Sequence, residues 1–174
     1  MSTCESVFQA FTARRFADWN GLPRNCNMAQ LAAVVPSRMA GEGSGRIGRR
    51  SAQYRMLEVD GYPHAVRAWF GAGALLMLDA EYPDPSNTLA AEIASLGEPD
   101  ARLDCWWDVL SLKGAEWVYA TRGLAALINP DNRIVLRLLV FPPASLSEYE
   151  NSFRIDWRSI EFQETKLPSR GGQS

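Results

Sequence analysis

Two blocks that each read as a helix followed by strands lie a nearly constant distance apart, and this spacing limits the possible folds more than any single motif does. Leu31-Ala32-Ala33-Val34-Val35 is answered 58 positions later by Leu89-Ala90-Ala91-Glu92-Ile93. Leu75-Leu76-Met77-Leu78, ahead of Tyr82-Pro83, is answered 59 positions later by Ile134-Val135-Leu136-Arg137, ahead of Phe141-Pro142. Self-similarity at a fixed period signals one supersecondary unit used twice. The expected class is α+β, with two tandem units of a helix plus a three-stranded antiparallel sheet, an added N-terminal helix and a short C-terminal helix. The divisions fall at 1–26 (helix and linker), 27–85 (first unit), 86–142 (second unit) and 143–174 (closing helix and tail).

Residue periodicity supplies the elements. Val7, Phe8, Phe11 and Phe16 recur at helical spacing over 2–19, and Asn27 is placed to cap a second helix that Pro36 closes. From Tyr54 the period becomes two, giving strands at 54–59, 65–70 and 74–82, with Gly71-Ala72-Gly73 as a hairpin loop. Ser86 or Asn87 is placed to cap a helix over 88–96, ended by Gly97 and Pro99. Strands follow at 102–109, 115–128, with a bend at Gly123, and 133–141, the last two joined through Asn129-Pro130-Asp131-Asn132. Ser145 with Glu148 starts a short helix to about 153, the segment 155–162 has a mixed pattern, and 168–174 reads as a frayed tail.

Between the second helix and the first strand lies Gly43-Ser44-Gly45-Arg46-Ile47-Gly48, which spells the G-x-G-x-x-G string of dinucleotide sites. Those sites need a strand before the string and a helix after it, set in an alternating strand-helix series. Neither is present in the pattern, so the stretch reads as a flexible loop. Arg46, Arg49 and Arg50 leave open an anion site there.

Charge and cysteine content exclude several function classes. A net charge of −2 offers no general attraction to phosphate backbones, so nucleic acid is not expected as a partner. No run approaches the ~18 apolar residues of a membrane helix, and no membrane partner is expected. The start, Met1-Ser2-Thr3-Cys4, has no basic region or apolar core of a secretory signal. Cys4, Cys26 and Cys105 form no Cys-x-x-Cys pair and are odd in number. A disulfide framework is therefore not expected, Cys105 reads as a small core residue, and the chain reads as cytoplasmic.

Catalytic constellations are sparse. The single histidine, His64, excludes a histidine-based metal site, and pairing it with Cys105 requires the two units to meet. Asp79 with Glu81, and Asp104 with Asp108, are pairs on one strand face that could do acid-base work, but such carboxylates read first as solvated charge. No cofactor or metal is expected, and the chain is not expected to be an enzyme.

Strand alternation places Leu103, Cys105 and Trp107 on a core face and Arg55, Arg67, Trp69, Arg102, Asp104, Trp106, Asp108, Glu116, Arg122 and Arg137 on the other. Aromatic rings mixed with arginine are what the energetic centres of protein interfaces contain. The candidate partner-binding residues are Trp69, Trp106, Trp117, Tyr119 and Arg122, with the last-named aromatics able to point inward instead.

The order of helix, three strands, helix, three strands over 27–142 resembles the architecture of the β-lactamase inhibitor protein family. The segment 89–99, ending in Leu96-Gly97-Glu98-Pro99 before strands, is similar to small outer-membrane assembly lipoproteins. That resemblance implies a non-enzymatic protein binder using one sheet face. The expected function is a protein-binding module, an inhibitor or toxin-neutralising immunity protein, whose partner is another protein. The alternative is a binder of a small anionic ligand, or an enzyme, with arginines lining a pocket between the two units.

Overall fold

A computed structural model describes residues 2–35, 37–84, 88–106, 113–129 and 131–163. The helices are α1 (Cys4–Thr12), α2 (Met28–Val34), α3 (Leu89–Ala94) and α4 (Leu146–Ser152). The strands are β1 (Ser37–Ile47), β2 (Arg50–Val59), β3 (Val66–Gly71), β4 (Ala74–Glu81), β5 (Ala101–Trp106), β6 (Lys113–Tyr119), β7 (Leu124–Ile128), β8 (Val135–Val140) and β9 (Ile155–Gln163).

The expected tandem of separate three-stranded units is overturned. The nine strands among the described residues form one antiparallel sheet in the order β5-β6-β7-β8-β4-β3-β2-β1-β9. Each helix α2 and α3 leads into four strands rather than three, and the two meanders fuse where β4 pairs with β8. The physical reason lies in the apolar content of the joining strands. Every described residue of β7 and β8 is buried, so these strands need cover on both faces and neighbours on both edges, which the rim of a small sheet cannot supply.

Two misread segments and one left unassigned account for the extra strands; the unassigned one, over 155–162, is β9, paired with β1. The glycine-rich stretch is not a loop over 41–47 but most of β1, paired with β2 from Ser37↔Val59 to Ile47↔Arg50, and Gly48 lies in the turn that follows. Glycine is depleted in strands because it adds backbone entropy and no packing, so propensity hid this one. Here the missing side chain is required: a Cβ on Gly45 would stand 3.1 Å from the Trp69 ring and 3.4 Å from Ile160. The long segment expected over 115–128 is two strands, β6 and β7, folded back through a 3-10 turn at Ala120–Arg122 and Gly123 in the left-handed region at φ 63°.

Local signals that did not depend on the tandem hold where they are described. Asn27 caps α2, accepting from the Gln30 amide at 2.9 Å while Gln30 Oε1 accepts from the Asn27 amide at 2.9 Å. Ser145 Oγ accepts from the Glu148 amide at 3.1 Å at the start of α4. Ala72 and Gly73, at φ 49° and 79°, make the two-residue turn between β3 and β4. The first helix is shorter than expected, ending at Thr12, with Phe16 buried beyond it. Asp84 accepts from the amides of Thr88 and Leu89 at 2.6 and 2.8 Å, orienting the start of α3. The Ser86 or Asn87 cap, the 107–109 end of an expected strand, Asp108 and the tail at 168–174 lie outside the described residues.

Two cores lie on opposite faces. One packs Val7, Phe8 and Phe11 of α1, with Phe16, Leu31, Leu89 and Ile93, against Leu57, Val66, Leu78, Leu124, Leu138 and Val140 of the sheet. The other gathers Tyr54, Trp69, Met77, Leu127, Leu139 and Phe141 under Tyr149 and Phe153 from α4 and Ile155 from β9. Each fully buried side chain of this size stabilises the fold by about 1.5–3 kcal/mol relative to exposure.

Cys4 and Cys26 are joined in a disulfide, with Cα atoms 5.7 Å apart, which corrects the expectation of free thiols. Their separation in sequence carried no motif, and only the docking of the start of α1 beside the loop before α2 brings them together. Cys105 is the free cysteine and is buried, as a small core residue.

Candidate functional site

Three polar arrangements stand out, two inside the second core and one at the end of the sheet. The first centres on Asp79, fully buried between two arginines. Arg137 Nη1 donates to Oδ1 at 2.8 Å from β8, and Arg67 Nη1 donates to Oδ2 at 3.0 Å from β3. Arg137 also approaches Glu81 at 3.5 Å. The guanidiniums lie over aromatic rings, Arg137 over Trp157 at 4.4 Å and Arg67 over Tyr54 at 5.4 Å. Burial alone would raise the Asp79 pKa, but the charges and hydrogen bonds of Arg137 and Arg67 outweigh it and hold the carboxyl below its ordinary value. Asp79 is thus not the solvated charge its place beside Glu81 suggested. Its setting in Leu75-Leu76-Met77-Leu78-Asp79-Ala80, a charge within an apolar run, was the available signal.

The second arrangement joins Glu116 of β6 to α4 and the approach to β9. Tyr149 Oη donates to Glu116 Oε1, and Arg154 Nε donates to Oε2 at 2.9 Å. Burial raises the Glu116 pKa against the opposing pull of Arg154 and Tyr149. Cys105 sits in this environment, and burial with the nearby Glu116 charge pushes its thiol up to about 12. A thiol so strongly protonated is a poor nucleophile. His64, the partner once considered for it, is exposed at the β2–β3 turn, its ring 5.9 Å from that of Tyr82.

Both clusters tie elements to each other. Clefts among the described residues include one of about 710 Å³ along Arg38, Asp60 and His64, one of about 800 Å³ between the start of α1, Arg24 and Pro143, and one of about 230 Å³ bordered by Tyr54, Arg55 and Phe70. Among the described residues no group of three or more histidine, cysteine, aspartate or glutamate side chains could hold a metal ion.

The third arrangement is at the β5 end of the sheet. Arg102, exposed on β5, lies over the half-buried Trp117 ring of β6 at 4.9 Å and pairs with Glu98 at 2.9 Å. Their strands place them directly opposite one another, Arg102↔Trp117. Arginine stacked on indole is a recurrent component of protein-binding surfaces. Beside it, β5 pairs with β6 alone among the described residues.

The candidate contact residues are therefore dispersed. Trp69, expected to face outward, is fully buried in the second core, with Nε1 3.5 Å from Asp79 Oδ2. Tyr119 is buried, its hydroxyl donating to the Gly97 carbonyl at 3.1 Å. Arg122 is half-buried and donates to the Trp19 carbonyl at 3.4 Å, fastening the segment after α1. Trp106 belongs to β5, its side chain outside the described set. Among the candidate aromatics with described side chains, Trp117 is the one that remains half-exposed. Arg67, Glu116 and Arg137, assigned to the same outward face, are inside instead, because α4 and β9 cover it.

No protein-family model matches the chain, and no curated protein matches it in sequence. Among solved structures, a cysteine-rich secretory protein from Staphylococcus aureus is similar over 88% of this chain at 13% identity and a TM-score of 0.38. The chain spans 55% of that protein's length. A likeness this slight transfers neither fold nor function. Among the described residues no helix is long and apolar enough to cross a membrane.

Proposed function

We propose that the chain is a non-enzymatic protein-binding module that works through the β5–β6 end of its sheet. The observation that carries this reading is the Arg102–Trp117 stack, half-exposed beside a terminal strand. Of the outward set expected from alternation, Arg67, Trp69, Glu116 and Arg137 are taken up in the two buried clusters, whereas Arg55, Arg102 and Asp104 stay exposed, the last two on the strand beside Trp117. An inhibitor or toxin-neutralising role is the form this function takes when the edge covers a partner's active surface.

The Cys4–Cys26 disulfide supports an oxidising compartment as the place of action over the reduced one expected from cysteine spacing.

The test is affinity capture from source cells with the native chain and with Trp117→Ala and Arg102→Ala chains that keep the native circular dichroism. A protein partner, whether another chain or this one, should bind the native form and lose about 2 kcal/mol or more of affinity with Trp117→Ala. Equal binding by all three would contradict the assignment.

A second reading, a binder of a small anion, draws on Arg67 and Arg137, whose Nε atoms are buried with no hydrogen-bond partner among the described residues. Arginine donors in that state favour a carboxylate or phosphate. A rise in melting temperature with phosphate, lost in Arg67→Gln, would favour this reading.

A further inference from the structure

We propose that the edge of β5, which has no strand neighbour among the described residues, pairs with the β5 edge of a second copy of this chain, giving a two-fold dimer with one continuous sheet. This rests on the protein-binding reading above and names the partner. A terminal strand turns half of its N–H and C=O groups away from its neighbour and so offers a template for another strand. Native edges are commonly protected by proline, lysine or a covering element. Residues 101–106, Ala-Arg-Leu-Asp-Cys-Trp, contain neither proline nor lysine.

The pattern of this strand is complementary to itself. Antiparallel pairing centred on Leu103 sets Arg102 opposite Asp104 of the second copy, and the two-fold axis repeats the pair. Arg102 and Asp104 are both exposed and, two residues apart, lie on one face of the sheet. Opposite charges directly across an antiparallel pair are stabilising, and like charges there are destabilising. On the other face the half-buried Leu103, which packs against the second core, meets its own symmetry mate and extends that apolar layer. The same patch is used by both subunits, as a closed two-fold interface requires.

The groups involved keep their internal roles. Arg102 is pre-oriented by Trp117 and Glu98, and a guanidinium has donors to spare for a second carboxylate. Asp104 interacts within its own chain as well, and its two carboxylate oxygens accept several bonds. Arg154 Nη2 donates to the Asp104 carbonyl at 3.0 Å, fixing β5 against the approach to β9 while leaving that oxygen a further lone pair.

Sedimentation velocity across a wide range of concentrations tests this, with circular dichroism confirming the fold of each variant. The native chain should dimerise reversibly. Arg102→Glu and Asp104→Arg should each weaken the dimer by about tenfold, since two pairs become like-charged at once. The double variant Arg102→Glu/Asp104→Arg should recover most of that loss, which a merely structural role for either residue would not produce. If a single reversal does not fold, the double reversal still decides. A native chain that stays monomeric, or a dimer indifferent to charge reversal, overturns the proposal. A monomer that still captures another protein through Trp117 overturns self-pairing and leaves the protein-binding reading standing, whereas a monomer that captures nothing overturns both.

Discussion

The Arg137 guanidinium lies 4.4 Å from the Trp157 ring although β8 and β9 are separated by four intervening strands in the sheet order. Such a contact requires the sheet to roll on itself, bringing its β9 end back over the face that carries Asp79, Arg67 and Trp69. At Gly45 both the Trp69 ring and Ile160 stand within 3.4 Å of where a Cβ would go, so β1 meets them there without a side chain of its own. The roll converts an alternating, half-polar face into a second interior. The arginines and aspartate caught inside become ion-paired struts.

Asp79→Asn leaves two arginines without their shared counter-charge and should destabilise the fold by about 3–5 kcal/mol, read by urea unfolding. The native carboxyl is held below its ordinary value, so its contribution is present above the unfolded pKa of about 3.9 and is lost as pH falls through the folded value. The native protein should therefore lose stability steeply in strong acid, and Asp79→Asn should show a shallower loss there.

Glu116 has the opposite sign. Its folded pKa is raised, so its contribution is complete below the unfolded value of about 4.3 and is lost as pH climbs through the folded one. Melting temperatures from pH 4 upward should decline less in Glu116→Gln than in the native chain, and the Tyr149 hydroxyl retains an acceptor in that variant.

How much of this was legible follows from where each signal resides. Helix caps and the β3–β4 turn depend on neighbours a few residues away, and Asn27, Ser145 and Ala72-Gly73 could be read directly. The 58-residue echo was real as sequence but misleading as architecture, because pairing of β4 with β8 is a long-range choice set by strands apolar on both faces. The continuous run Leu124-Ala125-Ala126-Leu127-Ile128 was the clue to central strands, and a single strand drawn through Gly123 obscured it. β1 escaped because its Gly45 makes room for Trp69 and Ile160, a contact that no local pattern carries. The binding face was misjudged for the same reason: alternation assigns a side, and only the path of α4 and β9 decides which side meets water.

The Cys4–Cys26 disulfide closes a loop spanning 22 positions, and loss of such a crosslink costs about 3 kcal/mol in the chain-entropy model. Cys4→Ser/Cys26→Ser should melt at lower temperature than the oxidised native chain and at the same temperature as the dithiol-reduced one. Alkylation of the native oxidised protein should spare Cys105 until it unfolds.

Two glycines with left-handed backbone angles separate conformational strain from crowding. Gly73 at φ 79° has no atom near the position of an added Cβ, so Gly73→Ala should cost about 1–2 kcal/mol from backbone strain alone. Gly123 at φ 63° has the Phe141 carbonyl where a Cβ would go, and Gly123→Ala should cost several times more or prevent folding. Thermal unfolding of the two variants side by side checks the difference.

Amide hydrogen exchange in β5, followed as protein concentration is raised, measures use of this edge most directly. Protection of residues 101–106 should increase with concentration, while amides of β2 and β3, already paired on both edges, stay constant. Protection in β5 that does not change with concentration, or that changes equally across the sheet, would contradict an edge that recruits a second strand.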